Sequence, residues 1–206
     1  MYQVNIKDIS LSFHTEQDVF SPSGADRGTL AMLSQVEFNK EDRVLDLGCG
    51  VGIVGILAAK LCGEEQITMC DISDKAIELS RINAELNQVS GVNIIKSNGL
   101  DDIEESEFTK ILSNPPYHVD FSVPKNFIEK GYKKLAVDGV MYMVTKRKDW
   151  YKNKLISVFG GVKIQEIDGY YVFTARKTAI RKKTKEKNTN QQMSKKLQRK
   201  MASKSR

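Results

Sequence analysis

Three groups of residues that could bind a ligand or take part in a reaction each follow a short apolar run. The first is a glycine cluster at positions 48, 50 and 52, which comes directly after Asp46 and Leu47. The second is a single acid, Asp71, and the third is the run of residues 113–118, SNPPYH. Because the carboxyl ends of parallel strands meet at one edge of a sheet, we expect these groups to lie together.

The glycine cluster lies between a predicted strand and a predicted helix, where absent Cβ atoms let a ligand approach the backbone. Its pattern alone is ambiguous. Gly50-x-Gly52-x-x-Gly55 also fits the dinucleotide-binding fingerprint, with Asp71 about twenty residues further on as a ribose ligand. A third interpretation is that the glycines serve only close packing of strand and helix.

The wider segment 44–52, VLDLGCGVG, resembles the first motif of class I S-adenosylmethionine-dependent methyltransferases. This resemblance implies that the loop cradles the methionine part of the cofactor, with Asp46 near its ammonium group. The cofactor-binding residues predicted in this loop are Asp46, Gly48, Cys49, Gly50 and Gly52.

Two further segments belong to the predicted cofactor site. Asp71 matches the acidic ribose-binding position of the same family, and Asp71 and Ile72 are both predicted cofactor-binding residues. Ser97 and Asn98 follow the third predicted strand, where small polar side chains can hydrogen-bond the adenine edge. An ordinary turn is the alternative for this last segment.

The Asn-Pro-Pro-Tyr run in isolation has two equal interpretations, an ordinary rigid turn or recognition of a planar amino group, and its position after the glycine loop and Asp71 favours the second. Two prolines fix the backbone and remove two N–H donors. The Asn114 side-chain oxygen and the Pro115 carbonyl can then accept protons from one exocyclic amine, while Tyr117 stacks on its ring. We predict Asn114, Pro115, Pro116 and Tyr117 as catalytic residues, with Asn114 also beside the cofactor. No strong base is required, so His118 is expected at the rim without a chemical role.

Residues 19–22, VFSP, followed by residues 26–30, DRGTL, resemble the opening segment of the "methyltransferase small" family, whose known members are largely RNA guanine-N2 methyltransferases. By this resemblance Asp26, Gly28 and Thr29 cap a helix beside the cofactor, and Asp26 and Thr29 are predicted cofactor-binding residues. A helix cap without a ligand is the alternative. The resemblance covers Phe13 to Lys177. Fused family members carry an extra amino-terminal domain for which this chain has no room, which leaves substrate specificity open.

Strand and helix patterns alternate along the chain, which predicts a mainly parallel sheet covered on both faces. Overall we expect an α/β, Rossmann-like class I methyltransferase fold with a seven-stranded sheet and a C-terminal antiparallel hairpin. The predicted strands are residues 43–47, 66–70, 92–95, 110–113, 139–144, 162–167 and 170–175, and the predicted helices are 53–61, 73–87 and one opening near Pro124.

Charge divides the 206-residue chain into two segments. Residues 176–206 hold 13 Lys and Arg and one acid, Glu186, a net +12 that leaves −6 on the remainder of a chain whose total is +6. We therefore expect a methyltransferase domain over 1–175 and a flexible basic tail over 176–206 that contacts RNA. A solvated solubility tail is the alternative. Lys146-Arg147-Lys148, after the fifth strand, has two equal interpretations, a phosphate contact or a solvated loop.

Composition narrows the class of protein further. The three cysteines show no CxxC spacing, so we expect no metal site and no disulfide framework. No apolar run reaches the length of a membrane span, and residues 1–13 lack the apolar segment of a secretory signal. A cytoplasmic protein is expected, of unknown oligomeric state.

Together these patterns predict an S-adenosylmethionine-dependent RNA methyltransferase that acts on an exocyclic base amine, guanine N2 of ribosomal RNA first among them. Three alternatives remain open at the level of sequence. They are an adenine-N6 methyltransferase on RNA or DNA, a glutamine-N5 methyltransferase acting on a protein, and a non-catalytic RNA-binding module that retains the fold.

Overall fold

A computed structural model describes residues 1–16, 24–116 and 120–179. The elements, in chain order, are β1 (Tyr2–Ile6), β2 (Ile9–Phe13), α1 (Arg27–Leu33), β3 (Val44–Leu47), α2 (Ile53–Cys62), a short 3-10 turn (Glu64–Gln66), β4 (Ile67–Asp71), α3 (Asp74–Leu86), β5 (Asn93–Lys96), β6 (Phe108–Ser113), α4 (Ser122–Lys134), β7 (Leu135–Thr145), α5 (Lys148–Phe159), β8 (Lys163–Ile167) and β9 (Tyr170–Arg176). Among these helices, none is long and apolar enough to cross a membrane.

Seven strands form the central sheet in the order β5-β4-β3-β6-β7-β9-β8. The first five are parallel, whereas β9 is antiparallel to both β7 and β8. This confirms the predicted fold class. From β3 the chain proceeds outward through β4 and β5, then returns to place β6 on the other side of β3. The order therefore reverses between β3 and β6, and open α/β sheets bind ligands at the carboxyl ends of such a pair.

Helices cover both faces of the sheet, as predicted. One buried cluster contains apolar residues of α1, α2 and α3. The other contains apolar residues of α4 and α5. Alternation along β3 assigns Val44 to the first cluster and Leu45 and Leu47 to the second. Since successive strand residues face opposite sides, Asp46 shares the side of Val44 and faces α2.

The predicted C-terminal hairpin is confirmed, and a second hairpin at the amino terminus was not predicted. Asp168 and Gly169 both have positive φ, 50° and 77°, as a two-residue turn of the I′ kind requires. Between β1 and β2 the same conformation is adopted by Lys7 and Asp8, with φ of 52° and 63°. A Lys-Asp pair is not the Asn-Gly or Asp-Gly signal by which such a turn is recognised in a sequence.

Of the two helices on the other face of the sheet, one was predicted and one was missed. Helix α4 begins at Ser122, so Pro124 lies in its first turn, as predicted. Proline is tolerated there because a first-turn N–H has no partner within the helix. Helix α5 was missed, although its buried residues Tyr151, Leu155 and Phe159 recur at every fourth position.

Two asparagines, Asn83 of α3 and Asn87 directly after it, fasten the amino-terminal hairpin to the domain. The Asn87 side chain accepts from Ser12 N (3.0 Å) and donates to Ser12 O (2.7 Å). Asn83 pairs with His14 in the same way, at 2.6 and 3.0 Å, and also donates to Val51 O (2.9 Å). Each side-chain amide thus makes, with the backbone of one residue, the pair of hydrogen bonds that a neighbouring strand would make. Because Val51 belongs to the glycine loop, Asn83 joins the hairpin to that loop.

Removal of this link should destabilise the whole domain. Asn83 is fully buried, so Asn83→Ala leaves backbone groups of His14 and Val51 without their partner, and we expect a loss of about 3 kcal/mol in the free energy of unfolding. Urea denaturation measures this loss. Asn126→Ala, on the exposed face of α4, is the matched control and should change stability by less than about 0.5 kcal/mol. Equal effects of both changes would contradict the assigned role.

Candidate active site

A cavity of about 340 Å³ opens at the carboxyl ends of β3, β4 and β6, beside the point where the strand order reverses. This size suits a small-molecule ligand. Most of the predicted site residues line it. The lining residues are Thr29, Asp46, Gly48, Cys49, Gly50, Val51, Ile53, Val54, Cys70, Asp71, Ile72, Ser97, Asn98, Gly99, Asn114, Pro116, Val123 and Phe127.

The glycines of the loop serve two different purposes. Gly48 and Gly50 have φ of 77° and 56°, and a Cβ on Gly50 would meet no protein atom within 4 Å. The space beside Gly50 is therefore open for a ligand. A Cβ on Gly52 would lie 2.8 Å from Met69 Cε, and one on Gly55 would lie 2.4 Å from Met69 Cγ. These two glycines let α2 pack against β4. The ligand interpretation therefore applies to Gly48 and Gly50, and the packing interpretation applies to Gly52 and Gly55.

Asp46 is a buried carboxylate, 3% exposed, between the cavity and α2. Its Oδ2 accepts a hydrogen bond from Gly55 N, in the first turn of α2, at 2.8 Å. Burial raises the pKa of Asp46 from 3.8 to about 7; the Gly55 N–H opposes this shift and the nearby charge of Asp71 adds to it. A cationic ligand group would favour the ionised form of this side chain.

Asp71 closes the loop from the neighbouring strand. Its Oδ2 accepts from Gly50 N at 3.0 Å, and its Oδ1 accepts from Ser73 N at 2.9 Å. The carboxylate also lines the cavity. Ser80 of α3 supports the loop from the other side by donating to Gly50 O at 2.8 Å. Position 50 is thus held through both its N–H and its carbonyl.

The charge of the cavity separates two interpretations of the glycine motif. In dinucleotide-binding folds the pyrophosphate lies at the amino terminus of the helix after the loop. Here the Asp46 carboxylate already accepts an N–H of that turn, and Asp71 adds a second acid. No Lys, Arg or His is among the lining residues of the described chain. Such a cavity fits a cationic ligand with hydroxyl groups better than a pyrophosphate.

The predicted adenine segment lines the cavity, with its side chains partly engaged in the turn itself. Ser97 Oγ accepts from Asp102 N at 3.1 Å, and Asn98 donates to Asp101 at 3.3 Å. Beyond them Gly99 has a φ of 64°, and a Cβ there would lie 2.9 Å from the Phe127 ring. Apolar contact with a ring-shaped ligand is available from Ile72, whose side chain is 63% exposed although it lines the cavity.

Asn114 lies at the end of β6, and its orientation is set by α1. Its Nδ2 donates to Asp26 Oδ1 at 2.8 Å and to Thr29 Oγ1 at 3.0 Å. Asp26 also caps α1 by accepting from Thr29 N at 3.1 Å. The donor end of the amide is therefore turned toward α1, so its acceptor end, Oδ1, faces the other way. Thr29 lines the cavity, but Asp26 lies behind Asn114 and does not.

The rest of the Asn-Pro-Pro-Tyr run is only partly described. Pro115 is buried, and Pro116 is exposed and lines the cavity. Tyr117 and His118 lie outside the described residues, as do residues 19–22.

Gly28, in the first turn of α1, packs closely against Tyr170, since a Cβ at position 28 would lie 2.9 Å from the Tyr170 ring.

Two cysteines line the cavity without being poised to react. Burial raises the pKa of Cys70 to about 12 and that of Cys49 well above its usual range. Both thiols are therefore protonated at neutral pH, and protonated thiols are poor nucleophiles. Among the described residues, no group of three or more His, Cys, Asp or Glu side chains is arranged to hold a metal ion.

The apolar part of the cavity was not predicted from the sequence. Val123 and Phe127 reach it from α4, and Val51, Ile53, Val54 and Cys70 complete the lining. Phe127 lies on an amphipathic helix and is 8% exposed, so by sequence it resembles any core residue. The nearest signal was Gly99, whose missing side chain leaves room for the Phe127 ring.

Strand order, the glycine loop and two carboxylates at its edge together define a Rossmann-like S-adenosylmethionine-dependent methyltransferase. Residues 10–174 match the family model described as the methyltransferase small domain. The chain belongs to this family, and its cofactor is S-adenosylmethionine.

Known proteins of similar sequence and structure agree with this assignment. The chain is 29% identical to the uncharacterized protein YbxB of Bacillus subtilis, over 85% of this chain and 90% of that protein. It is 31% identical to ribosomal RNA small subunit methyltransferase C of Pseudoalteromonas atlantica, over 84% of this chain and 51% of the relative. It therefore spans about half the length of that relative.

A solved structure shows the same fold. It is a T. thermophilus 16S rRNA N2 methyltransferase in complex with AdoMet and guanosine, with a TM-score of 0.77 at 23% identity. The similarity covers 85% of this chain and 50% of that one.

Asp46→Asn should make ligand-free stability and cofactor binding change in opposite directions. With its pKa raised to about 7, protonated Asp46 stabilises the fold fully below pH 3.8, and this contribution is lost as the pH rises through about 7. At pH 8, asparagine removes the buried charge and should raise the midpoint of thermal unfolding by roughly 5 °C. Loss of the carboxylate should weaken S-adenosylmethionine binding by about tenfold.

Thermal unfolding and calorimetric titration at pH 8 and pH 5 check this prediction. At pH 5 Asp46 is mostly protonated in the folded wild type although it is mostly ionised in the unfolded chain, so the stability difference between wild type and variant should be clearly smaller than at pH 8. A difference of the same size at both pH values would contradict the raised pKa.

Asp26→Ala should lower turnover while leaving cofactor affinity unchanged, because Asp26 contacts Asn114 rather than the cavity. We expect a fall in kcat of at least about tenfold, with binding of S-adenosylhomocysteine within about twofold of wild type. Asp26→Ser is the control for the lost helix cap, since serine is also a good N-cap residue. It should recover stability but not turnover. A parallel loss of cofactor affinity would instead make Asp26 a direct cofactor ligand.

Proposed function

We propose that this methyltransferase transfers a methyl group to the exocyclic N2 amine of a guanine in ribosomal RNA. The observation that carries the proposal is the orientation of Asn114, whose Nδ2 donates to Asp26 and Thr29. An amide held in this way offers an acceptor at its opposite end, and a base amine is a donor. A carbonyl oxygen has two lone pairs, so it can accept more than one hydrogen bond.

The residues of the loop fit the cofactor of the family. Asp46 would neutralise the ammonium group of the cofactor, and Asp71 would accept hydrogen bonds from its ribose hydroxyls. The open space beside Gly50 would admit the cofactor atoms that lie against the loop backbone. When bound, S-adenosylmethionine supplies an electrophilic methyl group on a sulfonium. The chain's own task is then positioning, which can contribute several kcal/mol to a bimolecular transfer.

At the acceptor side, Asn114 Oδ1 and the Pro115 carbonyl would each accept one proton of the amine. These two hydrogen bonds would draw the nitrogen lone pair out of conjugation with the base ring and direct it toward the cofactor side of the cavity. The two prolines keep this backbone rigid and add no competing N–H donors. Tyr117 is proposed to stack on the base. Because the amine becomes much more acidic once it is methylated, its proton can leave to water afterwards.

Support for a ribosomal guanine comes from the relatives. The P. atlantica relative is named a ribosomal RNA small subunit methyltransferase, and the T. thermophilus enzyme was solved with guanosine. Adenine N6 has the same donor character as guanine N2. The choice between them therefore depends on the residues around the base, among which Tyr117 is proposed.

We propose that residues 1–175 form the catalytic domain and that the basic segment 176–206 contributes to RNA binding in the cytoplasm. Residues 180–206 lie outside the described residues. The structure does show that β9 continues to Arg176 and that Lys177 pairs with both Asp138 and Gly139 through its backbone. A truncation after Ala179 keeps these paired residues, and a flatter salt dependence of RNA binding by the truncated chain would support the proposal.

Nucleoside analysis tests the reaction directly. The full chain is incubated with methyl-labelled S-adenosylmethionine and ribosomal RNA, which is then digested to nucleosides and analysed by mass spectrometry. We expect labelled N2-methylguanosine. Asn114→Ala should reduce the rate by on the order of 100-fold, with S-adenosylhomocysteine binding unchanged.

Each alternative has its own outcome. Labelled N6-methyladenosine would replace guanine by adenine as the target. Label in protein glutamine would overturn the RNA assignment. Binding of cofactor and RNA without any transfer to ribosomal RNA, free or assembled into subunits, would indicate a binding module.

A further inference from the structure

A basic and aromatic surface lies beside the cavity and has no part in the site described above. It consists of Lys146 and Arg147, between β7 and α5, Lys148 and Trp150, in the first turn of α5, and Phe121, directly before α4. We name these five residues the basic ledge. Ser113 and Met143 are partners across β6 and β7, and strand geometry therefore places Lys146, the first residue of the ledge, within roughly 10 Å of Asn114.

The three cations of the ledge are held by aromatic rings rather than by acids. Lys146 Nζ lies 4.9 Å from the Tyr170 ring centroid, Arg147 Cζ lies 5.0 Å from that of Phe121, and Lys148 Nζ lies 5.0 Å from that of Tyr171. None of the three forms a salt bridge within the described part of the chain. A cation–π contact orients a side chain and leaves its N–H donors for another partner.

Two acids lie near the ledge without pairing with its cations. Asp120 Oδ1 accepts from Ser122 N at 2.7 Å, at the start of α4. Asp149 lies in the first turn of α5, where the helix dipole favours an acid. Arg147 and Lys148 occupy the N-cap and first position of the same helix, where the dipole disfavours a cation. Helix stability therefore does not explain these cations.

Ring contacts tie the exposed part of the ledge to the core. Phe121 stacks on Trp150 at 4.5 Å, Trp150 meets Tyr151 edge-on at 5.2 Å, and Tyr151 stacks on the fully buried Phe173 at 5.8 Å. Phe121 itself is 37% exposed. The surface end of this series is thus a large apolar group with a guanidinium over its ring. Fixed rings next to cations are the features that bind single-stranded nucleic acid.

We propose that the basic ledge binds the single-stranded RNA that flanks the target base. Lys146, Arg147 and Lys148 contact phosphates, and Phe121, with the Arg147 guanidinium, supports a neighbouring base. This inference rests on the proposed function and adds the path of the RNA strand to it. The RNA runs from the cavity mouth at β6 across the end of β7. A base withdrawn from its stack leaves neighbours that need a new support.

The test uses Trp150, which is the one tryptophan of the chain, so intrinsic fluorescence reports on the ledge. A short single-stranded RNA of uridines with one central guanosine, end-labelled, is titrated into the full-length protein. Anisotropy follows binding and tryptophan emission follows the ledge. We expect both signals to give the same dissociation constant, with Trp150 emission changed on binding.

Matched double variants separate the ledge from general charge. Arg147→Ala with Lys148→Ala should weaken binding by on the order of tenfold. The slope of log K against log salt should fall by about 1.4, because two phosphates of a single strand are no longer neutralised. Lys40→Ala with Lys60→Ala removes the same charge from exposed positions at the opposite edge of the sheet. This control should change both quantities far less. Calorimetry with S-adenosylhomocysteine should give wild-type affinity for both proteins.

Equal losses of affinity in the two double variants would overturn the ledge, as would RNA binding without any change in Trp150 emission or no binding of this RNA at all. Failure of the wild type to bind S-adenosylhomocysteine would overturn the proposed function instead. That failure is distinguishable because the RNA titration contains no cofactor.

Discussion

The buried carboxylate of Asp46 is the constraint around which the cavity is built. A charge that is 3% exposed carries a large desolvation penalty, which appears as a pKa of about 7 instead of 3.8. One amide, that of Gly55, offsets part of the penalty. For α2 to bring that amide close, its packing against β4 must be tight, and Gly52 and Gly55 provide this by leaving room for Met69. The protein leaves the rest of this desolvation penalty uncompensated. A cationic ligand that binds beside Asp46 can offset it, because its positive charge stabilises the ionised carboxylate.

Loop rigidity follows from the same arrangement. Gly48 and Gly50 adopt the positive φ that the turn requires. Glycine also loses more conformational entropy on folding than any other residue, which disfavours the folded loop. Asp71, Ser80 and Asn83 offset this cost by holding the backbone of residues 50 and 51. Asn83 also holds His14. The hairpin β1–β2 therefore contributes to the order of the loop although it lies outside the central sheet, and this is a physical reason for its presence in the domain.

Sequence alone predicted the parts of the molecule whose local chemistry is distinctive. The alternating strands and helices, the Asp168-Gly169 turn and the loop after Asp46 each have a signal within a few residues. The Lys7-Asp8 turn was missed because its conformation is enforced by strand pairing rather than by residue type. Phe127 was missed because only the three-dimensional fold brings α4 over Gly99. The contact between Asp26 and Asn114, 88 positions apart, was not foreseen either, although both were named as site residues. No local pattern can indicate that one polar side chain orients another, since either could equally face a ligand.

The charge along the sheet edge changes sign in an order that suits the proposed reaction. From β4 and β3 to β6 and β7 the strand ends carry Asp71 and Asp46, then the neutral amide of Asn114, then Lys146-Arg147-Lys148. A cationic methyl donor and a polyanionic RNA need opposite fields, yet they must meet at one nitrogen atom. Adjacent strands are about 4.8 Å apart, so the ends of β3 and β7, two strands apart, are separated by roughly 10 Å. This separation places the acids beside the cofactor cavity and the cations beside the proposed path of the RNA, and it leaves the uncharged Asn114 where a neutral base amine would be bound.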